Sequence, residues 1–415
     1  MKALKGAVMF GQSGGPTSVI NSSAAGVFTE ALKNENITAV YGAAHGIKGI
    51  LTENFYDISK EDERELQLMK TTPSSALGSV RYKLKDCDED DTDYKKLLEV
   101  FKKYNIRYFF YNGGNDSMDT CNKVSKYMQK VGYECRVMGV PKTIDNDLFG
   151  TDHCPGYGSA AKYIATTFME LAQDARVYDI GAVTVVEVMG RNAGWLTAAS
   201  ALASNKQDGP DLIYLPELPF DVEKYLDEVE EVYKKKGNVI VAVSEGAKDK
   251  DGKYIVEYAQ TSGSKDSFGH TQLGGVAQIL ASMAQKRLNC KVRPIELSLL
   301  QRCAAHWASK TDVEEAFAAG KWAVKYAVAG KSDYMVGFER TEKDGKYKCK
   351  IKLFPLSEVA NTEKKIPRSW INKAGNNVTG EFIKYATPLI MGESKICIED
   401  GLPRFAKLKK VKVKK

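Results

Sequence analysis

The residues Pro141-Lys142-Thr143-Ile144-Asp145-Asn146-Asp147 set one lysine and two carboxylates side by side, directly after the apolar run from Arg136 to Val140. A strand that ends in such a loop offers its side chains at the carboxyl edge of a parallel sheet, where open α/β folds bind ligands. Asp145 and Asp147 could hold Mg²⁺ or take a proton, and Lys142 could neutralise an anionic group in transfer. The same residues also read as a polar turn with Asn146-Asp147 at its tip and Asp145 as a helix cap. The neighbouring loops decide between these readings.

Three glycine-containing loops repeat the strand-then-loop arrangement. Gly11-Gln12-Ser13-Gly14-Gly15-Pro16-Thr17-Ser18 follows the first strand-like run and opens a helical pattern, so backbone N–H groups and the helix dipole could face an anion. It matches neither GxxxxGK[ST] nor GxGxxG, and glycine serves tight turns as well. Asn112-Gly113-Gly114-Asn115-Asp116-Ser117 adds oxygen donors suited to a hard cation such as Mg²⁺ at Asn115 and Asp116. Asp116 could instead be an N-cap. Glu187-Val188-Met189-Gly190-Arg191-Asn192-Ala193-Gly194 brings Arg191, which suits phosphate or transition-state oxygens. A surface ion pair is its plain alternative.

The elements that must position these loops read as repeated βαβ units. The clearest strands are expected at Ala7 to Phe10, Arg107 to Tyr111, Val137 to Val140, Ala182 to Val188, Leu212 to Leu215 and Val239 to Val243. Helical spacing covers Ser18 to Asn34, Tyr94 to Tyr104, Ser117 to Val131, Ser159 to Asp174, Gly194 to Ala203, Val222 to Lys236, Gln272 to Arg287 and Val313 to Ala329. At 415 residues the chain is long enough for two lobes with their own cores. No low-complexity linker separates them, so the expected fold is α/β, with two Rossmann-like three-layer lobes, mostly parallel sheets and a cleft between them.

The composition, 43% hydrophobic and 27% charged, is that of a soluble protein. No apolar run reaches the ~20 residues of a membrane span. The amino terminus passes straight into a strand-like run with no room for a signal peptide, so a cytoplasmic protein is expected. The eight cysteines are scattered without a CxxC pair, against zinc ribbons and redox motifs. The net charge of +7 resides in the stretch from Arg404 to Lys415, and the rest is neutral. We read this as a solvated, disordered lysine tail and expect neither nucleic acid nor membrane as a partner. His45, His153, His270 and His306 fit no metal-ligand spacing and read as structural or surface residues, with His270 open to the rim of the site.

In this order the loops resemble those of the phosphofructokinases, over about Gly6 to Gly330. The family's GG(D/N)(G/D)S, P(G/K)TIDND and MGR signatures are all present. The resemblance is to the pyrophosphate-dependent branch, which phosphorylates fructose 6-phosphate from inorganic pyrophosphate. In ATP-using members the residues matching Asp116 and Lys142 are typically glycine. A carboxylate about 4 Å from a phosphate charge costs on the order of 4 kcal/mol at an effective dielectric of 20, which disfavours a nucleotide there. An ATP-dependent enzyme and a non-catalytic sugar-phosphate-binding subunit are the alternatives.

The resemblance implies Asp145 as general base towards the sugar 1-hydroxyl, with Thr143 and Ile144 beside it. Lys142 and Arg191 would stabilise the transferring group, and Asn115, Asp116 and Asp147 would surround Mg²⁺ with the donor. Gly14, Gly15, Arg81 and Asp116 would contact pyrophosphate. Met189, Gly190, Glu217 and Gln301 would line the sugar pocket, with Glu245 the rival of Glu217 for the sugar hydroxyl, and with Arg293 and Arg302 on the 6-phosphate. Three positions depart from the family: Asn115 replaces an acid, Leu299 a histidine, and Ala182 an arginine lent across a subunit boundary, for which Arg176 could substitute. A reversible glycolytic reaction in a homodimer or homotetramer is implied. The expected domains are a donor lobe at 1–150, to which 240–290 could return, a sugar-phosphate lobe at 151–335, and an extension at 336–415 with a hairpin about Asp344-Gly345 and the basic tail.

Overall fold

Runs such as Ala7-Val8-Met9-Phe10 bury residues on both sides of a strand, because each face of the sheet is covered. The computed structural model describes residues 3–206, 208–258 and 274–414. His270 and the start of the helix expected at Gln272 lie outside the described residues. The chain divides into two compact units: Met1–Ser159, Arg302–Lys364 and Gly392–Lys415 form the first, and Ala160–Gln301 and Lys365–Met391 the second.

The first unit holds a seven-stranded sheet made of β1 (Gly6–Gln12), β2 (Ile37–Ala43), β3 (Phe55–Asp57), β4 (Ile106–Gly113), β5 (Arg136–Pro141), β10 (Tyr334–Lys343) and β11 (Lys346–Pro355), in the order β11-β10-β5-β4-β1-β2-β3. The strands from β10 to β2 run parallel, and the two edge strands are antiparallel. Alternate residues serve opposite cores: Phe109 and Tyr111 pack with Met9, while Tyr108 and Phe110 pack with Phe10. The chain leaves β1 for β2 on one side and leaves β4 for β5 on the other. The carboxyl ends of β1 and β4 are therefore a topological switch point.

The Ile20–Ala31 helix, which follows the first glycine loop, crosses the Lys310–Val328 helix with the backbones in contact. A Cβ on Gly26 would lie 2.1 Å from the Phe317 carbonyl oxygen, and one on Gly320 would lie 2.0 Å from that of Ser23. Small residues at this crossing let two helices approach closely enough to cover one sheet face.

The second unit holds the parallel sheet β7-β8-β6-β9, from β6 (Ala182–Val188), β7 (Leu212–Tyr214), β8 (Val239–Ser244) and β9 (Lys291–Glu296). Its core includes Val183, Val185, Val241, Tyr225 and Leu280. The returning segment Lys365–Met391 packs Trp370, Phe382 and Tyr385 around Trp195 at ring-centroid distances of 5.3 to 6.4 Å.

Three sequence expectations require correction. Of the segment expected to return at 240–290, β8 and the Val276–Leu288 helix belong to the second unit, where β8 pairs with β6 and β7; the chain returns to the first unit through Arg302–Lys364 instead. Residues 336–415 are no separate extension. The hairpin turns at Asp344-Gly345 with positive φ at both, but β10 adds to the central sheet through Tyr334↔Met138 and Met335↔Gly139. The described part of the basic tail is packed against the first unit and not solvated along its length. Asp57 N–H donates to the Val411 carbonyl and Val413 N–H to that of Phe55, continuing past the β3 edge. Arg404 pairs with Glu65, Lys409 with Asp62, and the Glu61 carboxylate accepts from the N–H groups of Lys409 and Lys410. An acidic strip complements the tail and blunts an exposed sheet edge.

Candidate active site

Two of the expected loops meet at the switch point. The Lys142 N–H donates to the Gly113 carbonyl at 3.0 Å, knitting the end of β5 to the end of β4. The Lys142 side chain then runs inward, 3% exposed, and its Nζ donates to the Gly15 carbonyl at 2.5 Å. Arg302 reaches the same place, its Nη1 2.9 Å from where a Gly15 Cβ would stand. Burial lowers the Lys142 pKa to about 8; Asp145 and Asp147 oppose that shift, while Arg302 and Arg81 add to it. Lys142, Arg81 and Arg302 thus form a cluster of positive charge beside Gly14 and Gly15, suited to a small polyanion.

Gly14 has φ +76 and carries the turn that makes room for this lysine. Its N–H donates to the Val80 carbonyl at 3.2 Å, and its carbonyl accepts from Ser79 Oγ at 2.6 Å. The Gly14 amide expected to face an anion is thus turned to the 79–80 segment, and the cationic side chains take that task.

The Thr143 to Asp147 loop is braced from behind. Asn146 is fully buried in the left-handed region, φ 55, and its Oδ1 accepts the Cys154 N–H at 2.9 Å. Thr143 N–H donates to the Pro155 carbonyl at 3.1 Å, and Thr143 Oγ1 accepts the Asp145 N–H at 3.0 Å. Asp312, from the Lys310–Val328 helix, receives the N–H groups of Gly156 and Ser159, each at 2.9 Å. No helix starts at Asp145, so the cap reading of that residue falls. Ile144 is buried within the loop.

Asn115 begins the Asn115–Lys130 helix, with Gly114 as its N-cap, so Asp116 is no cap either. Asp116 is exposed in the first turn. Asn115 Nδ2 donates to Asp147 Oδ2 at 3.2 Å, which leaves Asn115 Oδ1 and Asp147 Oδ1 buried and accepting no hydrogen bond. Burial, then the nearby Asp145 carboxylate, raises the Asp147 pKa. Two orphaned oxygens beside a second acid fit a hard divalent cation, which would satisfy both and hold Asp147 ionised.

In the second unit, Met189, Gly190, Glu245 and Gln301 come together beyond β6 and β8. The Met189 N–H donates to Gln301 Oε1 at 3.2 Å, and the Gly190 N–H to Glu245 Oε1 at 3.3 Å. Gly190, at φ +139, also accepts from Ser244 Oγ at 2.6 Å. Arg191 is half-buried at the next position. Glu217 plays a supporting part: its Oε1 accepts the N–H groups of Gly194 and Ile366, at 2.8 and 3.2 Å. Arg293 is not brought to this group. It lies on β9 with its guanidinium 5.0 Å from the centroid of Tyr178. Leu299 is exposed, and Arg176 pairs with Asp208 at 2.6 Å.

Sequence reasoning missed the residues that clamp these loops. The Lys364 N–H donates to the Asp147 carbonyl at 2.7 Å, and its buried Nζ binds the carbonyls of Thr151 and Asp152. Glu187 Oε2 accepts the Ala277 N–H at 3.1 Å and so fixes the start of the Val276–Leu288 helix against β6. No local signal marks the distant partners Lys364 and Asp312; Glu187 stood within the quoted loop but without a role.

Comparison with known proteins identifies the family. The sequence profile described as Phosphofructokinase matches residues 7–295. A pyrophosphate–fructose 6-phosphate 1-phosphotransferase of Halomonas elongata is 45% identical over 410 residues, covering 98% of this chain and 97% of that one. A protein of the same name from Xanthomonas campestris pv. campestris is 45% identical over 414 residues, covering 99% and 98%. The crystal structure of a pyrophosphate-dependent phosphofructokinase from Nitrosospira multiformis superposes with a TM-score of 0.88 at 42% identity, covering 98% of each chain. The loops of β1, β4, β5 and β6, their order in the sheets and these likenesses converge: the chain belongs to the phosphofructokinase family.

Proposed function

We propose that the protein transfers a phosphoryl group reversibly from inorganic pyrophosphate to the 1-hydroxyl of fructose 6-phosphate, giving fructose 1,6-bisphosphate and phosphate. The observation that carries the choice of donor is Lys142, buried with its Nζ on the Gly15 carbonyl and set beside Arg81 and Arg302. This compact cluster of positive charge matches pyrophosphate, and Asp116 on the adjoining turn adds repulsion against a longer nucleotide chain.

Asp145 takes the proton of the attacking hydroxyl as its oxygen bonds to phosphorus and the bridging P–O bond breaks; phosphate leaves with the bond's electron pair. Thr143 holds the Asp145 backbone through the Oγ1 contact. Lys142 and Arg191 stabilise charge on the transferring oxygens. Met189, Gly190, Glu245 and Gln301 shape the sugar pocket, while Arg302, expected on the 6-phosphate, stands beside Gly15 and Lys142 on the donor side. Mg²⁺ would be held by Asn115 and Asp147, with Asp116 nearby, and would neutralise pyrophosphate charge. The first unit is then the donor side and the second the sugar side. Family resemblance further supports glycolytic work in the cytoplasm as a homo-oligomer. No helix among the described residues is long and apolar enough to cross a membrane.

The test supplies purified protein, Mg²⁺ and fructose 6-phosphate with either pyrophosphate or ATP and follows fructose 1,6-bisphosphate. Product with pyrophosphate is expected. Product with ATP alone, or none with either donor, overturns the proposal.

A further inference from the structure

The first unit contains a second cluster of chemically capable side chains, which the phosphoryl-transfer reading does not use. His153, on the segment behind the Thr143 to Asp147 loop, is 2% exposed. Glu315 comes from the Lys310–Val328 helix and Cys349 from β11, both half-buried. Their donor atoms all lie within 4.8 Å of one another. We propose that His153 Nε2, one carboxylate oxygen of Glu315 and Cys349 Sγ form a binding site for a divalent transition-metal ion of the zinc type.

The outer contacts are those a metal-ligating histidine requires. Nδ1 bonds Asp152 Oδ2 at 2.8 Å and Nε2 bonds Glu315 Oε2 at 2.6 Å, so the ring is held between two carboxylates; an ion would take the place of the Nε2 proton while Asp152 keeps Nδ1–H and the ring's orientation. Asp152 is itself held by Arg340, from Nε to Oδ1 at 3.1 Å and from Nη2 to Oδ2 at 3.0 Å. Phe338 stacks on the imidazole at 4.7 Å and 17°, which fixes the ring plane. Tyr347 OH donates to Glu315 Oε1 at 2.7 Å and leaves Oε2 to face the histidine. The histidine and the glutamate are thus oriented by neighbours, and the thiol lies 3.9 Å from the Lys350 carbonyl with Tyr347 and Glu315 beside it.

The donor set selects the ion. Imidazole nitrogen and thiolate sulfur favour zinc over magnesium, and three protein ligands leave a fourth position for water. In a tetrahedral zinc site such donors stand roughly 3.3–3.6 Å apart. The histidine–glutamate pair would open slightly and the sulfur close in, with the thiol proton and any Nε2 proton released to solvent. The half-buried glutamate and cysteine provide the entry path. The ion would tie β11 and the Lys310–Val328 helix to the segment whose Cys154 N–H caps Asn146.

Cobalt titration of the full chain, with thiols kept reduced by a phosphine, tests the site. We expect one tightly bound Co²⁺ with a thiolate-to-cobalt charge-transfer band, displaced by zinc. Cys349→Ser should abolish the band, and Cys87→Ser, beside the exposed Asp86 and Asp88, should retain it. In the unmutated protein, free zinc at ten times its dissociation constant should slow alkylation of Cys349 about 10-fold, read by peptide mass spectrometry. That measurement does not depend on a variant folding. Absence of the band, its survival in Cys349→Ser, its loss in Cys87→Ser, or unprotected Cys349 each overturns the proposal.

Discussion

Asn115 and Asp147 share one hydrogen bond, 3.2 Å from Nδ2 to Oδ2, and each leaves its other oxygen buried with no donor. Two buried acceptors without a proton donor are costly unless a cation meets them. Asp147→Asn should therefore raise the Mg²⁺ concentration for half-maximal activity by about 10–100-fold, the usual cost of disturbing a metal's surroundings. Asn115→Asp, which supplies a second charge at the same reach, should lower it. A magnesium titration at saturating substrates checks both; an unchanged midpoint in Asp147→Asn removes this pair from the metal site.

Lys142 gives the reaction a pH limit. Burial places its pKa at about 8, below the ordinary lysine value, so the charged ammonium dominates below pH 8 and is lost as pH rises through that value. Pyrophosphate needs the charged form, so kcat/KM for pyrophosphate should fall above pH 8 in the free enzyme. Lys142→Arg should move that limb out of the accessible range, and Lys142→Met should erase it together with most of the activity. The pH profile of kcat/KM for each protein is the measurement. A wild-type profile flat from pH 7 to 10 contradicts the assignment.

The loops were legible because their cues are local. Glycine and polar residues after β1, β4, β5 and β6 announce sharp turns at strand ends, and both faces of those strands are covered, which makes them continuous apolar runs. What could not be read depends on partners far along the chain. Nothing around Asp312 indicates that its carboxylate receives the Gly156 and Ser159 N–H groups, yet that contact helps return residues 302–364 to the first unit. The lysines of the tail looked solvated because Glu61, Asp62 and Glu65 are remote in sequence. His153 carried no ligand spacing for the same reason, with Glu315 162 residues away.

Asp145 is the proposed base, and its loop is fixed by Asn146, Thr143 and the 154–156 segment. Asp145→Ala should thus fold normally and lower kcat by at least ~10²-fold, the usual contribution of a general base. KM for pyrophosphate should change little, because Lys142, Arg81 and Arg302 remain. Steady-state kinetics beside a circular dichroism melt separates lost chemistry from lost fold; full turnover in Asp145→Ala removes it from the mechanism.

Gly26 and Gly320 set how closely the helix behind the Gly14-Gly15 loop approaches the one that carries Asp312. Adding a single methyl at Gly26 would put carbon 2.1 Å from the Phe317 carbonyl oxygen and 2.9 Å from the Lys321 nitrogen, both backbone atoms that no rotamer change can move aside. The helices would have to separate, which overpacks one side of the crossing and opens the sheet face beneath. Alanine's better helix propensity, worth under ~1 kcal/mol, cannot offset this. Gly26→Ala should therefore destabilise the protein by about 1–3 kcal/mol, and Gly320→Ala by a similar amount. The double variant should cost less than the sum, since one separation relieves both clashes. Denaturant unfolding of the three variants measures this coupling, and strictly additive losses would mean the two glycines act at independent contacts.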